Sequence, residues 1–275
     1  MTVGGCGGNS ALERLTEARR LAADLQVHFT QATDAANRSV MANTDEASVA
    51  FAREAEQAKQ SIQKDADGLK PLLQSLGYSE ERRLLEEFDK RFTEYRALDR
   101  TILELAVENT NLKAQELSFG AAAEAADAFR DALAGITAGD AAKDMWRVKA
   151  LAAIAVSSVR EIQALQAPHI ADADDAGMTK TEMRMQVSES RARAALAALG
   201  PIVQPASRPR LTSAAAALDR FMALNARITA LSRRNSNLRS LALSLNEKGK
   251  LTAACEDRLR ALRGALAARG FAGTR

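Results

Sequence analysis

The sequence repeats itself at a fixed spacing of 126 residues, and this constrains the fold more than any other feature. Shifted by 126, Phe92, Tyr95, Leu98, Ile102, Leu105 and Leu112 land on Leu218, Phe221, Leu224, Ile228, Leu231 and Leu238. Asn109-Thr110-Asn111-Leu112-Lys113 lands on Asn235-Ser236-Asn237-Leu238-Arg239, Leu117-Ser118 on Leu243-Ser244, and Asp131 and Leu133 on Asp257 and Leu259. Within each copy the apolar residues return every three or four positions, as on the buried face of a helix. One amphipathic helical unit has been duplicated without a gap.

Composition agrees. The 275 residues include only 5 Pro and 15 Gly, with 47% hydrophobic and 4% aromatic residues. An all-β or α/β chain needs a turn at every strand end, so this scarcity of turn-formers points to long helices. Two His and two Cys exclude most multi-ligand zinc sites and any disulfide framework. Charge is uneven along the chain: residues 1–138 hold 16 Lys+Arg and 23 Asp+Glu, and residues 139–275 hold 22 and 12. The arginines are spread around helices without interleaved aromatics, so nucleic acid is not an expected partner. No apolar run reaches the 18 residues of a membrane span, and Val148–Val159, the most apolar stretch, is broken by Lys149, Ser157 and Ser158.

The pattern predicts an all-α fold of two tandem antiparallel four-helix bundles, residues 10–138 and 139–275, after a flexible leader at 1–9. Ser10 is expected to cap the first helix, which runs to about Met41. Asn43-Thr44-Asp45-Glu46 then forms a turn and a new N-cap. A second helix is expected to about Gly68, with Pro71 ending or bending it. A third runs from Ser79 to a break at Gly120, and a fourth to about Ala134. In the second module, helices are expected from Asp140 to about Asp175 with a kink at Pro168, from Gly177 to Leu199, and onward from a cap at Thr212. The join at 135–139 is short, so the last helix of the first module is expected to run into the first helix of the second. The bundles would then stack on a shared, continuous helix. Cys255 stands where the repeat has Phe129, which predicts a buried thiol.

The third-helix segment Leu231-Ser232-Arg233-Arg234-Asn235-Ser236-Asn237-Leu238-Arg239-Ser240-Leu241-Ala242-Leu243-Ser244 resembles the four-helix-bundle sensor domains of bacterial methyl-accepting chemotaxis receptors. Ala36-Asn37-Arg38-Ser39-Val40-Met41 followed by Thr44-Asp45-Glu46 is similar to the end of the first helix in those domains. The resemblance implies a non-enzymatic, extracytoplasmic (periplasmic) ligand-binding module that works as a homodimer or with a receptor partner. Neither flanking membrane helices nor a signalling coiled coil accompanies it. It is therefore expected to be the sensory part of a longer receptor or a freestanding, lipid-anchored relative. Val3-Gly4-Gly5-Cys6 before a Gly/Asn/Ser tether resembles the end of a lipoprotein signal, which makes Cys6 a candidate lipid attachment site; a Gly-rich leader with an incidental Cys is the plain alternative.

Such sensors hold small anions with arginines of their first two helices, because a guanidinium offers paired donors to a carboxylate. Arg38, Arg160, Arg184 and Arg191, with Arg193, are the corresponding residues, and the basic second half is the expected anion binder. Asn109, Asn111, Asn235 and Asn237 interrupt apolar seams, where polar residues fix register. Two other readings are open. A helical adaptor would bind another coiled-coil protein through its charged faces. A haem or metal bundle would use His28 with Met41, or His169, Asp172, Asp174 and Asp175 with Met178, Met183 and Met185. No cofactor is expected under the leading reading, and no phosphate-binding loop, nucleophile elbow or His-Glu-x-x-His motif occurs.

Overall fold

A computed structural model of the protein describes residues 6–139 and 144–270. These residues are all-α, with no strand among them. Four helices are uninterrupted: α1 (Cys6–Met41), α2 (Asp45–Ser75), α6 (Met145–Ala171) and α7 (Asp175–Leu199). The other two are long and broken in the same way. The first comprises α3 (Ser79–Glu108), α4 (Thr110–Leu117), a π-helical turn (Ser118–Ala122) and α5 (Ala123–Gly139). The second comprises α8 (Arg208–Arg234), α9 (Ser236–Leu243), a π-helical turn (Ser244–Lys248) and α10 (Gly249–Ala268). Both π turns sit at the 126-residue spacing, so the duplication reaches the backbone conformation.

The long helices decide how the chain divides. One compact unit joins residues 1–108 to 239–275, and the other is residues 109–238. Unit 1 is a bundle of α1, α2, α3 and α10. Its core packs Leu25, Phe29, Leu69, Phe88, Phe92 and Tyr95 with Cys255, Leu259 and Leu262. Unit 2 is a bundle of α5, α6, α7 and α8, with Phe129, Leu133, Ile162, Met185, Leu199 and Phe221 in one core. Tyr95 and Phe221 thus hold matching places in separate cores, as the repeat requires.

The expected division into 10–138 and 139–275 does not describe these cores. Each long helix supplies the third helix of one unit and, beyond its break, the fourth helix of the other. The expected run of one helix into the next past 135–139 falls on residues 140–143, which lie outside the described ones; α5 reaches Gly139 and α6 begins at Met145, both in unit 2. The charge asymmetry disappears as well. Unit 1 carries 22 Lys+Arg and 22 Asp+Glu, and unit 2 carries 16 and 13.

Local expectations fail where burial outweighs a local signal. α2 passes Gly68 and Pro71 to Ser75, because Leu69 and Leu73 are fully buried beyond the point where proline costs a hydrogen bond. α6 runs through Pro168, as the expected helix does, but ends at Ala171 after the buried His169 and Ile170 rather than at about Asp175. α1 already runs from Cys6, so Ser10 lies within it rather than capping it, and positions 6–9 are helical rather than leader. Thr212 lies inside α8, its hydroxyl donating to the Arg208 carbonyl; the helix starts at Arg208 with Pro209 in its first turn. Thr44 does cap α2, accepting from the Ala47 amide at 3.2 Å, with Asp45 and Glu46 in the first turn. Gly77 ends the α2 arm at φ 70°, where the Tyr78 amide donates to the Leu73 carbonyl at 3.0 Å.

One layer of the two cores differs in charge. In unit 1, Lys59 Nζ lies 2.6 Å from Asp99 Oδ2, and Lys248 Nζ lies 2.8 Å from Asp99 Oδ1; all three are at most 2% exposed. Burial, opposed by Asp99, holds the Lys248 ammonium below the usual lysine range. The repeat places Met185, Asn225 and Ala122 at these positions in unit 2. There, Gln166 Nε2 donates to Asn225 Oδ1 at 2.9 Å, and Asn225 Nδ2 contacts Met185 Sδ at 3.7 Å.

Two outcomes are expected. Residues 1–139 and 144–275, expressed together as separate chains, should elute as a 1:1 complex in size exclusion, because each fragment carries a helix the other's core needs. Asp99→Asn should cost about 3–5 kcal/mol in urea unfolding, by leaving the buried Lys248 without a carboxylate and Lys59 with Glu56 alone. The triple variant Lys59→Met, Asp99→Asn, Lys248→Ala, which transplants the neutral layer, should fall within about 1 kcal/mol of the parent or above it.

Candidate functional site

The breaks at Asn109 and Asn235 come together in unit 2. Both residues are left-handed, at φ 50° and 53°, a region asparagine tolerates better than most side chains. Each helix restart exposes amides that its own turn cannot satisfy. The two restarts satisfy each other. The Thr110 amide donates to Ser236 Oγ at 3.1 Å and the Ser236 amide to Thr110 Oγ1 at 3.0 Å. The Asn111 amide donates to Asn237 Oδ1 at 3.1 Å and the Asn237 amide to Asn111 Oδ1 at 3.2 Å. Asn111 Nδ2 donates to Asn235 Oδ1 at 2.8 Å, and Asn237 Nδ2 to Asn109 Oδ1 at 2.9 Å. All four asparagines are thus engaged in one reciprocal cap. Further bonds run from Asn111 Nδ2 to the Ile170 carbonyl and from Asn235 Nδ2 to the Asp172 carbonyl, both at 2.9 Å.

The sequence-selected arginines fall in two places. Arg184 and Arg191 line a cleft of about 390 Å³ between α6 and α7 of unit 2, with Lys180, Met183, Val187, Ser188 and Glu161. Glu161 is its sole carboxylate. It lies 3.8 Å from Arg184 and 3.9 Å from Arg191, and accepts from Ser188 Oγ at 2.9 Å. Arg160, its neighbour on α6, does not line the cleft, and Arg193 is bound to Glu189 and Asp219. Arg38 lies in unit 1, over the Phe51 ring at 3.9 Å and 3.5 Å from Glu54. Its cleft also holds His28 and Asp34, so cations and carboxylates are mixed there.

A basic cleft between α1 and α10, lined by Arg19, Arg260 and Arg263, was not legible in sequence because its halves lie more than 200 residues apart. Its arginines are committed. Arg19 donates to the carbonyls of Leu266 at 3.0 Å and Arg269 at 2.7 Å, Arg260 pairs with Asp257, and Arg263 donates to Gln26.

The haem and metal residues do not converge. His28 Nδ1 meets Asp65 at 2.7 Å, while Met41 is 71% exposed at the end of α1, about 20 Å farther along the helix. His169 is fully buried, with Nδ1 2.8 Å from Ser232 Oγ and Nε2 2.9 Å from Glu182 Oε1. Asp174 caps α7, Asp172 accepts from the Asp174 amide, Met178 and Met185 are in the core, and Met183 is exposed. Among the described residues, no three His, Cys, Asp or Glu side chains are grouped to hold a metal ion. Cys255 is buried, and desolvation pushes its thiol up to about 12, which removes it from thiolate chemistry at neutral pH. The side chain of Cys6 lies outside the described residues.

Sequence reasoning also missed the Arg233 strap. Its guanidinium grips Glu182 with bonds of 2.8 and 2.9 Å and reaches Thr179 at 2.7 Å, closing α7 onto α8. Arg233 first, then His169, holds the Glu182 carboxyl below its ordinary value against the opposing effect of burial.

These features define an all-α helical module with polar clefts between amphipathic helices. Residues 22–141 match the family described as a four helix bundle sensory module for signal transduction. The match covers α1 to α5 in chain order; the second copy rests on the 126-residue repeat. No curated protein and no solved structure matches the chain. Among the described residues, no helix is long and apolar enough to cross a membrane.

Because the Glu182 carboxyl is lowered in the folded state, its stabilisation is full above its unfolded value of 4.5 and lost as pH falls through the lower folded value. Arg233→Met should therefore reduce stability at pH 7 and flatten the acid side of the stability profile, as read by urea unfolding at stepped pH.

Proposed function

We propose that the protein is an extracytoplasmic, non-enzymatic sensor of a small organic anion, which it takes up in the α6–α7 cleft of unit 2. The observation that carries this is the carboxylate already held there. Glu161 sits between Arg184 and Arg191 at distances too long for tight pairing, and Lys180 adds a third cation. A ligand carboxylate that displaces Glu161 gains two guanidinium partners. The exposed Met183 and Val187 offer it an apolar wall. The match of residues 22–141 to a sensory family supports the signalling role.

Binding at that point breaks the Glu161–Ser188 bond and favours one packing of α6 against α7 over another, which biases the module toward a second state. A receptor partner or a second copy of the chain reads the change. Catalysis has no support in the one Ser–His–Glu contact: Ser232 is fully buried, and its hydroxyl donates to the His169 carbonyl at 2.8 Å.

A thermal-shift screen with mono- and dicarboxylates tests this reading. A true ligand at a hundredfold over its Kd should stabilise the protein by about 2.7 kcal/mol. Arg184→Ala with Arg191→Ala should abolish the shift, and Glu161→Gln should enlarge it. No response to any organic anion, together with capture of a helical partner, would favour the adaptor reading.

A further inference from the structure

Unit 1 holds an open cleft of about 580 Å³ between α2 and α3, which is ligand-sized. Val49, Ala52, Leu103 and Val107 form its apolar floor, and two cations, Arg53 and Arg100, stand with Glu56, Gln57 and Glu104 among its polar lining. The repeat explains why it is open. Shifted by 126, Glu56 lands on Glu182 and Val107 on Arg233. In unit 2 the Arg233 side chain spans α7 and α8 and binds Glu182. In unit 1 a valine stands where that arginine would be, and Glu56 and Val107 both line an open cleft.

Glu56 is held from below instead. Its Oε1 lies 2.6 Å from Nζ of Lys59, which is 2% exposed, while Glu56 itself is 53% exposed. The layer beneath has two buried ammonium groups, Lys59 and Lys248, but one buried carboxylate, Asp99. Lys248 Nζ and Asp99 Oδ1 are close, yet their alignment makes no hydrogen bond. The second negative charge that the layer needs comes from Glu56, a half-exposed side chain on the rim of an apolar cleft. A carboxylate from solution can take that place without leaving a buried charge unpaired.

We propose that the α2–α3 cleft of unit 1 is a ligand site for an amphiphilic carboxylate, whose hydrocarbon body covers Leu103 and Val107 and whose carboxylate replaces Glu56 beside Lys59. This does not depend on the α6–α7 cleft. Hydrocarbon length gives affinity through the floor, and the buried lysine selects the acid over the alcohol.

The test is calorimetric titration of the full chain with octanoate, with octanol as the uncharged comparison. Arg184→Ala and Arg191→Ala are both introduced first, so that the other cleft contributes nothing. Saturable octanoate binding is expected, with octanol about tenfold weaker or more. Val107→Arg, which installs the unit 2 strap, should weaken octanoate about tenfold with the thermal midpoint retained. Glu56→Gln, which removes the internal competitor, should tighten it. Octanol binding as well as octanoate, a folded Val107→Arg variant with unchanged affinity, or no octanoate binding would overturn the proposal. Should Val107→Arg fail to fold, Glu56→Gln decides alone: tighter binding supports the site, and unchanged or weaker binding overturns it.

Discussion

Two long helices can each serve two cores only if they break without leaving backbone amides bare, and the reciprocal cap around Asn109 and Asn235 meets that condition. A helix restart in a buried place leaves N–H groups that cost free energy unless paired. Here the pairing comes from the equivalent residues of the other long helix: hydroxyl for Thr110 and Ser236, side-chain amide oxygen for Asn111 and Asn237. Because the two partners are copies of one motif, each satisfies the other by the same geometry. The left-handed asparagines and the short polar run are one device, and substituting Thr110, Asn111, Ser236 or Asn237 removes an acceptor for one amide of the other helix's restart.

Duplication also makes the two units controls for one another. Where they agree, in the breaks, the π turns and the matching places of Tyr95 and Phe221, the agreement is the fold itself. Where they differ, the difference isolates a chemical choice. Unit 1 carries the Lys59–Asp99–Lys248 layer and an open α2–α3 face, while unit 2 carries Met185, Asn225 and Ala122 and a face strapped by Arg233. Charged buried layers are weak evidence for stability, since apolar replacements are often as stable.

The candidate clefts were legible only in part. Arginine's chemistry picked out Arg184 and Arg191, which do share a cleft, but the same reasoning offered Arg160 and Arg38, which do not join them. Neighbours in sequence such as Arg160 and Glu161 point about 100° apart on a helix, so only one of them faces a given groove. Arg233, Glu182 and His169 were within reach of the pattern but not of the inference, because their meeting depends on how α6, α7 and α8 are set against each other.

The sequence by itself determined that the chain is helical, that it is a duplicated unit, and which stripe of each helix is buried. Those properties live in local periodicity and in the 126-residue register. Only the tertiary structure decided which helices share a core. A buried stripe states that a face needs a partner, not which partner, and either fourth helix carries nearly the same stripe. The break at Asn109 sends α5 to unit 2 and, by symmetry, the break at Asn235 sends α10 to unit 1. The apparent division of charge between the two halves dissolves for the same reason: it belonged to the order of residues along the chain, and the folded units are assembled across that order.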